Sequence, residues 1–275
     1  MDVSIVQAIL VFIVAFIMGI DQFSFLESLY QPIVLGPIIG AILGNFELGI
    51  VVGGAYQLVQ IGSMPIGGAQ PPNAIMGTLM TAVFAVSMKL QPTADGVGLA
   101  VGLAIPFAVF GQYAVTLTFT IVSGLMAKAD KAAEEADPKG IAMVNYTEMA
   151  ILGILFGILA VAGVYGGSKL GTTLKDLSFQ FSWVMAGLDA AGAAMKFVGF
   201  AILMKVMMSS QMWGFLFGGF VMAVICKLMP VVAVQKSALL LCAFVGLAIA
   251  LYDFQIHSKI KSSAGSNVGG ESDGI

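Results

Sequence analysis

The sequence contains no arginine, one histidine (His257) and few charged residues of either sign. Charged residues make up 10% of the 275 positions, whereas soluble proteins carry about 25%. Without arginine, the chain has no guanidinium fork for paired hydrogen bonds to a carboxylate or phosphate. The net charge of −3 disfavours a nucleic-acid-binding surface. We therefore expect lipid as the solvent and no nucleic-acid partner.

The sequence also lacks the groups that usually carry chemistry. No P-loop or other nucleotide motif is present, so the chain is not expected to hydrolyse ATP itself. Cys226 and Cys242 lie in apolar stretches without metal or redox spacing, which predicts buried thiols. His257 lies in a lysine-bearing tail, where no folded domain would surround it. We predict a protein that is not an enzyme and has no catalytic residue, metal or cofactor.

Long uncharged stretches dominate what is present. No charge occurs between Glu47 and Lys89, Asp95 and Lys128, Glu148 and Lys169, or Lys205 and Lys227. A membrane-spanning helix needs roughly 20 apolar residues, and the backbone in lipid must satisfy its own hydrogen bonds. The pattern predicts an all-α, polytopic integral membrane protein of about 7–9 membrane helices, some broken or re-entrant. Helices are expected at about 4–20, 33–61, 74–90, 97–127, 146–167, 180–208, 212–228 and 231–254.

Two segments are hydrophilic, residues 128–140 and the C-terminal end. The first is expected to extend the preceding helix, which Pro138 and Gly140 would end. The Gly/Ser-rich residues 258–275 are expected to form a flexible tail after a transmembrane domain of residues 1–257. Because both segments carry lysine close to apolar helices, the positive-inside rule places them in the cytoplasm.

Glycines recur every fourth residue in three of the predicted helices. This spacing lets two helix backbones approach closely in lipid. We interpret it as ordinary helix packing. The glycines concerned are Gly36, Gly40 and Gly44, Gly153 and Gly157, and Gly214 and Gly218.

Residues 61–77 form a broken, amide-rich segment inside an uncharged stretch. Pro65, Pro71 and Pro72 cannot continue an ordinary helix. Such irregular backbone at membrane depth occurs where it is buried or lines a cavity. Amides both donate and accept hydrogen bonds, which suits the hydroxyls of a neutral sugar. The candidate substrate-binding residues here are Gln57, Gln60, Ser63, Gln70 and Asn73. A surface loop joining two ordinary spans is the competing interpretation.

A second candidate region is residues 187–199, where Asp189 and Lys196 are seven residues apart and share a helix face. Charges within a membrane usually face a cavity or a partner. Near the interface, both side chains could instead extend to the headgroups. Asp21 and Glu27, after the first helix, are interpreted as interfacial rather than catalytic.

Several stretches of the sequence are those of a known family and lie in order over about residues 1–257. They include LGPIIGAILGNFELGIVVGGAYQLVQIG, GAQPPNAIMGT, AIPFAVFGQ and GLDAAGAAMKFVGFAILMKVMM. In these stretches the chain resembles the membrane IIC subunit of the mannose–fructose–sorbose family of the sugar phosphotransferase system. Within the family, GAQPPN, KGIAMVNY and the terminal DGI look closest to the N-acetylgalactosamine/galactosamine-type branch.

The resemblance implies a mechanism and a set of partners. A IIC subunit pairs with a IID membrane subunit in the bacterial cytoplasmic membrane, and the pairs are expected to assemble into larger oligomers. The pair passes the sugar to a cytoplasmic IIB protein, which phosphorylates it, and IIA recharges IIB. Phosphoryl transfer would then lie on these partners, and the product would be trapped as a charged phosphate.

Two positions depart from the mannose-type pattern. Gln57 stands where many mannose-type members have glutamate, and Asn73 stands where they often have aspartate. Both changes weaken a mannose assignment, while mannose- or sorbose-type specificity stays open. Two further hypotheses also stay open: an ion-coupled sugar transporter that uses Asp189 and Lys196, and a membrane scaffold or receptor.

Overall fold

The computed structural model describes residues 3–61, 71–93, 96–178, 182–209, 212–229 and 232–265. Within them the chain forms ten α-helices and one short 3-10 helix, Ser123–Leu125, and no strand. The α-helices are α1 (Ile5–Ser24), α2 (Pro32–Ile42), α3 (Phe46–Gln60), α4 (Ala74–Ser87), α5 (Gly98–Val122), α6 (Met126–Glu134), α7 (Pro138–Ser178), α8 (Ser182–Met207), α9 (Trp213–Leu228) and α10 (Val232–Gly265).

Among the described residues, five helical stretches are long and apolar enough to cross a membrane. They are Ile5–Ser24, Gly98–Glu134, Pro138–Leu170, Ala186–Met207 and Ser237–Lys259. Three further apolar helices, α2, α4 and α9, are shorter. The all-α, polytopic membrane architecture with broken segments that the sequence predicted is therefore confirmed.

The predicted helix over 33–61 is instead an antiparallel pair, α2 and α3. Gly44, with φ of +86°, allows the reversal, and the Asn45 side chain caps α3 by accepting from Leu48 N. At about 1.5 Å per residue, α2 and α3 are roughly 17 and 23 Å long, too short to cross a bilayer core of about 30 Å. The pair therefore has the dimensions of a re-entrant hairpin.

Glycines bring the backbones of this hairpin into contact. A Cβ at residue 36 would lie 2.5 Å from Gly53 Cα, and one at residue 40 would lie 2.5 Å from Gly49 Cα. The packing interpretation is confirmed for Gly36 and Gly40. Gly153 and Gly157 of α7 pack closely against Phe16 and Phe12 of α1, as predicted. At Gly214 and Gly218, a Cβ would meet no atom of the described chain within 4 Å.

The hydrophilic segment also differs from the prediction at Pro138. This residue begins α7 rather than ending the preceding helix, because proline at the first helical position needs no N–H partner. Asp137 Oδ1 accepts from Lys139 N at the same helix start. Helix α6 ends at Glu134, and Ala136 reverses the chain with φ of +50°.

The chain divides into two compact units, residues 1–206 and 207–275. In the first unit, α4 is buried among α2, α3, α5 and α7, and α1 packs along α7. The main core combines aliphatic side chains of α1–α5 with Phe156, Ala160 and Val164 of α7. In the second unit, α9 packs against α10. The proposed division at residue 257 falls inside α10, and residues 266–275 lie outside the described part.

Candidate functional site

The loop between α1 and α2 is organised by one buried carboxylate. Asp21 is fully buried, and its two oxygens accept from three backbone N–H groups of the loop. Oδ1 accepts from Leu26 at 2.9 Å, and Oδ2 accepts from Leu29 at 2.7 Å and from Tyr30 at 3.0 Å. Charge-assisted bonds of this kind are about twice as strong as neutral ones. Asp21 is therefore an interior support of the loop.

A second buried polar residue, Asn73, marks the start of α4. Its Oδ1 accepts from Met76 N at 3.1 Å, which caps the helix, and its own N–H donates to Ala108 O of α5 at 2.9 Å. Its Nδ2 donates to Gln22 Oε1 of α1 at 3.0 Å. Asn73 thus joins three helices at one point, and its amide is in contact with a second amide from α1.

A cavity of about 320 Å³ opens beside this junction. This volume lies at the small end of the usual range for ligand pockets, about 300–1,000 Å³. Four of the lining residues are amides from four separate places in the sequence: Gln22, Gln60, Asn73 and Gln112. The others are Phe23, Glu27, Tyr30, Pro71, Pro72 and Ala74. The combination of amides with apolar and aromatic surface can bind the hydroxyls and the carbon faces of a sugar.

Glu27 and Tyr30 bring the loop between α1 and α2 to this cavity. Glu27 is exposed and has a φ of +53°, a left-handed conformation that non-glycine residues rarely adopt. Burial, and then the nearby Glu27 carboxylate, raise the pKa of the Tyr30 hydroxyl above its usual value of 10.0. The hydroxyl is therefore protonated at physiological pH and can donate a hydrogen bond.

The other predicted site residues are placed apart from this cavity or outside the described residues. Gln57 lies one turn before Gln60, but its Oε1 accepts from Ile33 N at 3.1 Å and its Nε2 donates to Gln31 Oε1 at 3.1 Å. Ser63 and Gln70 belong to residues 62–70, which lie outside the described part. Of the predicted residues, the structure brings together Gln60 and Asn73.

Asp189 lies against the start of α5 instead. A Cβ at Gly98, the first residue of α5, would lie 2.8 Å from Asp189 Oδ1. Gly102 and Gly192 bring the backbones of α5 and α8 together beside it. Lys196 lies on α8 less than one turn before Gly199, which packs against the carbonyls of Leu58 and Val59; its side chain lies outside the described part.

Gln22 and Gln112 are the amides that sequence reasoning missed. Gln112 is a polar residue inside a strongly apolar helix, which is the signal that could have identified it. Gln22 lies in the last turn of α1, beyond the predicted helix end at about residue 20. They are 90 positions apart in the chain and also far from Gln60. Their proximity arises from the packing of α1 and α5 around α4.

A second cavity, of about 280 Å³, lies between the start of α6 and α7. It is lined by Leu125, Lys128, Gly140, Met143, Val144 and Thr147. None of these described lining residues is an amide, so they offer a sugar fewer hydrogen-bonding partners than those of the cavity at Asn73.

Comparison with known proteins gives one consistent family. Residues 5–252 match the family described as "PTS system sorbose-specific iic component". The N-acetylgalactosamine permease IIC component 1 of Escherichia coli (strain K12) is 32% identical over 92% of this chain and 89% of its own length. The mannose-specific EIIC component of the same organism is 27% identical over 97% of this chain and 94% of its own length.

Two solved structures share the fold. One, described as a membrane protein, superposes with a TM-score of 0.76 and 25% identity over 92% of this chain and 97% of its own. The other is a chain of the mannose transporter ManYZ in complex with microcin E492. It superposes with a TM-score of 0.56 and 25% identity over 93% of this chain and 97% of its own.

Proposed function

The chain belongs to the sorbose-type IIC family of the sugar phosphotransferase system, and from this premise we propose that it carries an amino sugar across the bacterial cytoplasmic membrane. The sugar is N-acetylgalactosamine or galactosamine. It binds in the cavity at Asn73 and is phosphorylated by a partner protein during uptake.

The observation that carries this proposal is the convergence of four amides on one cavity. Gln22, Gln60, Asn73 and Gln112 come from four places in the chain and line a space of about 320 Å³. Each amide offers two N–H donors and one carbonyl acceptor, so together they can match hydroxyls and an acetamido group. The protonated Tyr30 hydroxyl adds a further donor at the same cavity. Phe23 and the two prolines supply apolar surface for the sugar ring.

The choice of an amino sugar has two supports. The relative that is 32% identical over 92% of this chain is an N-acetylgalactosamine permease component. In addition, the resemblance implies that mannose-type members often carry an acid where this chain has Asn73. A neutral amide in the cavity changes the hydrogen bonds available to the ligand, which weakens a mannose assignment.

The partners follow from the family and from what the chain lacks. One solved structure with this fold is of the mannose transporter ManYZ, and we propose that this chain pairs with a IID membrane subunit in IIC–IID pairs. The sequence has no nucleotide motif, and its one histidine is exposed in the described chain. Cytoplasmic IIA and IIB proteins would therefore carry the phosphoryl group, and this chain would act as a permease subunit.

Five of the residues predicted to bind the sugar are not assigned a contact with it in this proposal. Gln57 acts through the α2–α3 hairpin, because both ends of its amide are used there. Direct contacts of Ser63, Gln70, Asp189 and Lys196 with the sugar stay predictions.

Uptake in cells that express this chain with its candidate IID, IIA and IIB partners tests the proposal. Labelled N-acetylgalactosamine, galactosamine and mannose are supplied separately, and the phosphorylation state of the accumulated label is measured. We expect an amino sugar to accumulate as its phosphate, and only when the partners and phosphoenolpyruvate are present. Accumulation of free sugar, lost when the ion gradient is collapsed, would contradict the proposal and favour ion-coupled transport.

A further inference from the structure

The described lining of the cavity at Asn73 carries a negative charge and no positive charge. Among the described residues that line it, Glu27 is the one charged side chain. The neighbouring residues 62–70, which precede Pro71, contain no Asp, Glu, Lys or Arg in the sequence. The cavity therefore combines one carboxylate with neutral amides, and the lining so described contains no cation to balance it.

The backbone holds Glu27 in an unfavourable conformation. Its φ of +53° places it in the left-handed region, which is sterically unfavourable for a residue with a Cβ. Such conformations persist where the surrounding structure imposes them, and they concentrate at functional sites. This observation is independent of the cavity, because it concerns the backbone rather than the lining.

The carboxylate of Asp21 constrains the backbone of the loop around Glu27. Its carboxylate accepts from Leu26 N immediately before Glu27, and from Leu29 N and Tyr30 N shortly after it. These three bonds close the loop around Glu27, and Asp21 itself is fully buried. The buried acid thus positions the exposed acid at the edge of the cavity.

A carboxylate in this place distinguishes sugars by their charge. It attracts the ammonium group of a free amino sugar, has little effect on a neutral acetamido sugar, and repels a sugar phosphate or sugar acid. Because Glu27 is exposed, solvent and salt weaken these interactions, so the effect is modest and depends on ionic strength.

We propose that Glu27, positioned by Asp21, is a specificity-determining residue that favours cationic amino sugars over neutral N-acetylated ones. This inference rests on the proposed function, because it assumes that the cavity at Asn73 receives the sugar. It goes beyond that function by assigning the discrimination between galactosamine and N-acetylgalactosamine to one side chain.

The test compares the KM for uptake of galactosamine with that of N-acetylgalactosamine in the complete system. The variants are Glu27→Gln, which removes the charge at constant size, and Glu27→Asp, which keeps it. Glu47→Gln is the matched control, because Glu47 is an exposed acid on α3 that does not line the cavity. Each KM is measured at low and at high salt.

We expect Glu27→Gln to raise the KM for galactosamine about two- to fivefold at low salt, and less at high salt. The KM for N-acetylgalactosamine should stay within about twofold of the parent value, because a neutral ligand gains little from the charge. Glu27→Asp should retain most of the preference, and Glu47→Gln should change neither sugar.

Equal changes for the two sugars, or no change for either, would overturn the role of Glu27. These results leave the proposed function intact, since the parent protein still accumulates sugar phosphate. Failure of the parent protein to accumulate either sugar as its phosphate would instead overturn the proposed function, and with it this inference.

Discussion

Helix α4 and helix α10 are both apolar, but only α4 is buried by the rest of the described chain. Residues 74–85 of α4 are all buried within the first unit. The candidate span Ser237–Lys259 of α10 has none of its most apolar window buried. Apolar sequence alone therefore does not distinguish a helix of the protein interior from one whose surface is left for lipid or for another subunit.

The same contrast extends to polar residues. In the first unit, Asp21 and Asn73 are buried and their polar atoms are bonded to backbone or to another amide. In the second unit, the Oδ1 atom of Asp253 lies 3.3 Å from the Nδ1 atom of His257, and both side chains are exposed. The candidate cavity lies in the first unit, where buried polar groups hold several helices in fixed positions.

The largest effect should come from removing a leucine side chain in each unit. Leu79 of α4 is fully buried, whereas Leu239 of α10 is 84% exposed. Leu79→Ala should lower stability by about 2–5 kcal/mol, because it leaves a cavity in a packed interior. Leu239→Ala should leave the midpoint of thermal unfolding nearly unchanged. Equal shifts for both variants of the purified complex would contradict the contrast.

Aspartate to asparagine substitutions compare the two polar environments. Asp21→Asn removes the charge and turns one accepting oxygen into a donor that faces backbone N–H groups. We expect a loss of about 1–3 kcal/mol, together with a higher KM for both sugars, because the loop loses its support. Asp253→Asn serves as the exposed control, with no change expected in unfolding temperature or uptake. A stable Asp21→Asn variant with the parent KM would refute the positioning role.

Two glycine to alanine substitutions compare close and open helix surfaces. A Cβ at Gly53 would lie 2.7 Å from Pro32 O, whereas one at Gly218 would meet nothing within 4 Å. Gly53→Ala should cost about 1–3 kcal/mol, because the hairpin backbones must separate. Gly218→Ala should be neutral or slightly stabilising, since alanine favours the helix by about 0.5–1 kcal/mol. Thermal unfolding checks both. A destabilised Gly218→Ala variant would show that another surface packs there.

The smallest effect separates two glutamines one turn apart on α3. Gln57→Ala removes the acceptor of Ile33 N and the partner of Gln31, so it should cost about 0.5–1.5 kcal/mol of stability with little change in KM. Gln60→Ala should instead raise the KM with little change in stability, because Gln60 lines the cavity. Unfolding temperature and uptake kinetics are measured on the same preparations. A higher KM for Gln57→Ala alone would place the sugar nearer the hairpin.

Much of the fold follows from the sequence because lipid imposes a simple rule. Long uncharged apolar stretches must be helical, and this rule predicts α1, α5, α9 and the apolar part of α7. The break at Gly44 was missed because the same glycine spacing also occurs in unbroken packed helices, and composition does not reveal a positive φ. Pro138 was misread because proline is compatible with a helix start as well as a helix end.

The candidate site could be predicted only in part, for a related reason. Gln60 and Asn73 flank the proline-rich segment, where polar residues are conspicuous in the sequence. Gln22 and Gln112 lie in ordinary apolar helices, and only tertiary packing brings them to the cavity. Asp21 looks like an interfacial acid in the sequence, because nothing local shows that three loop N–H groups surround it.

Binding of labelled N-acetylgalactosamine to the purified membrane complex tests the central claim most directly. The parent protein, the Gln57→Ala variant and the double variant Gln60→Ala/Gln112→Ala are compared by equilibrium dialysis. The account predicts saturable binding to the first two, and a Kd about tenfold weaker for the double variant, which loses two amide contacts. An unchanged Kd in the double variant would show that the sugar does not bind in this cavity.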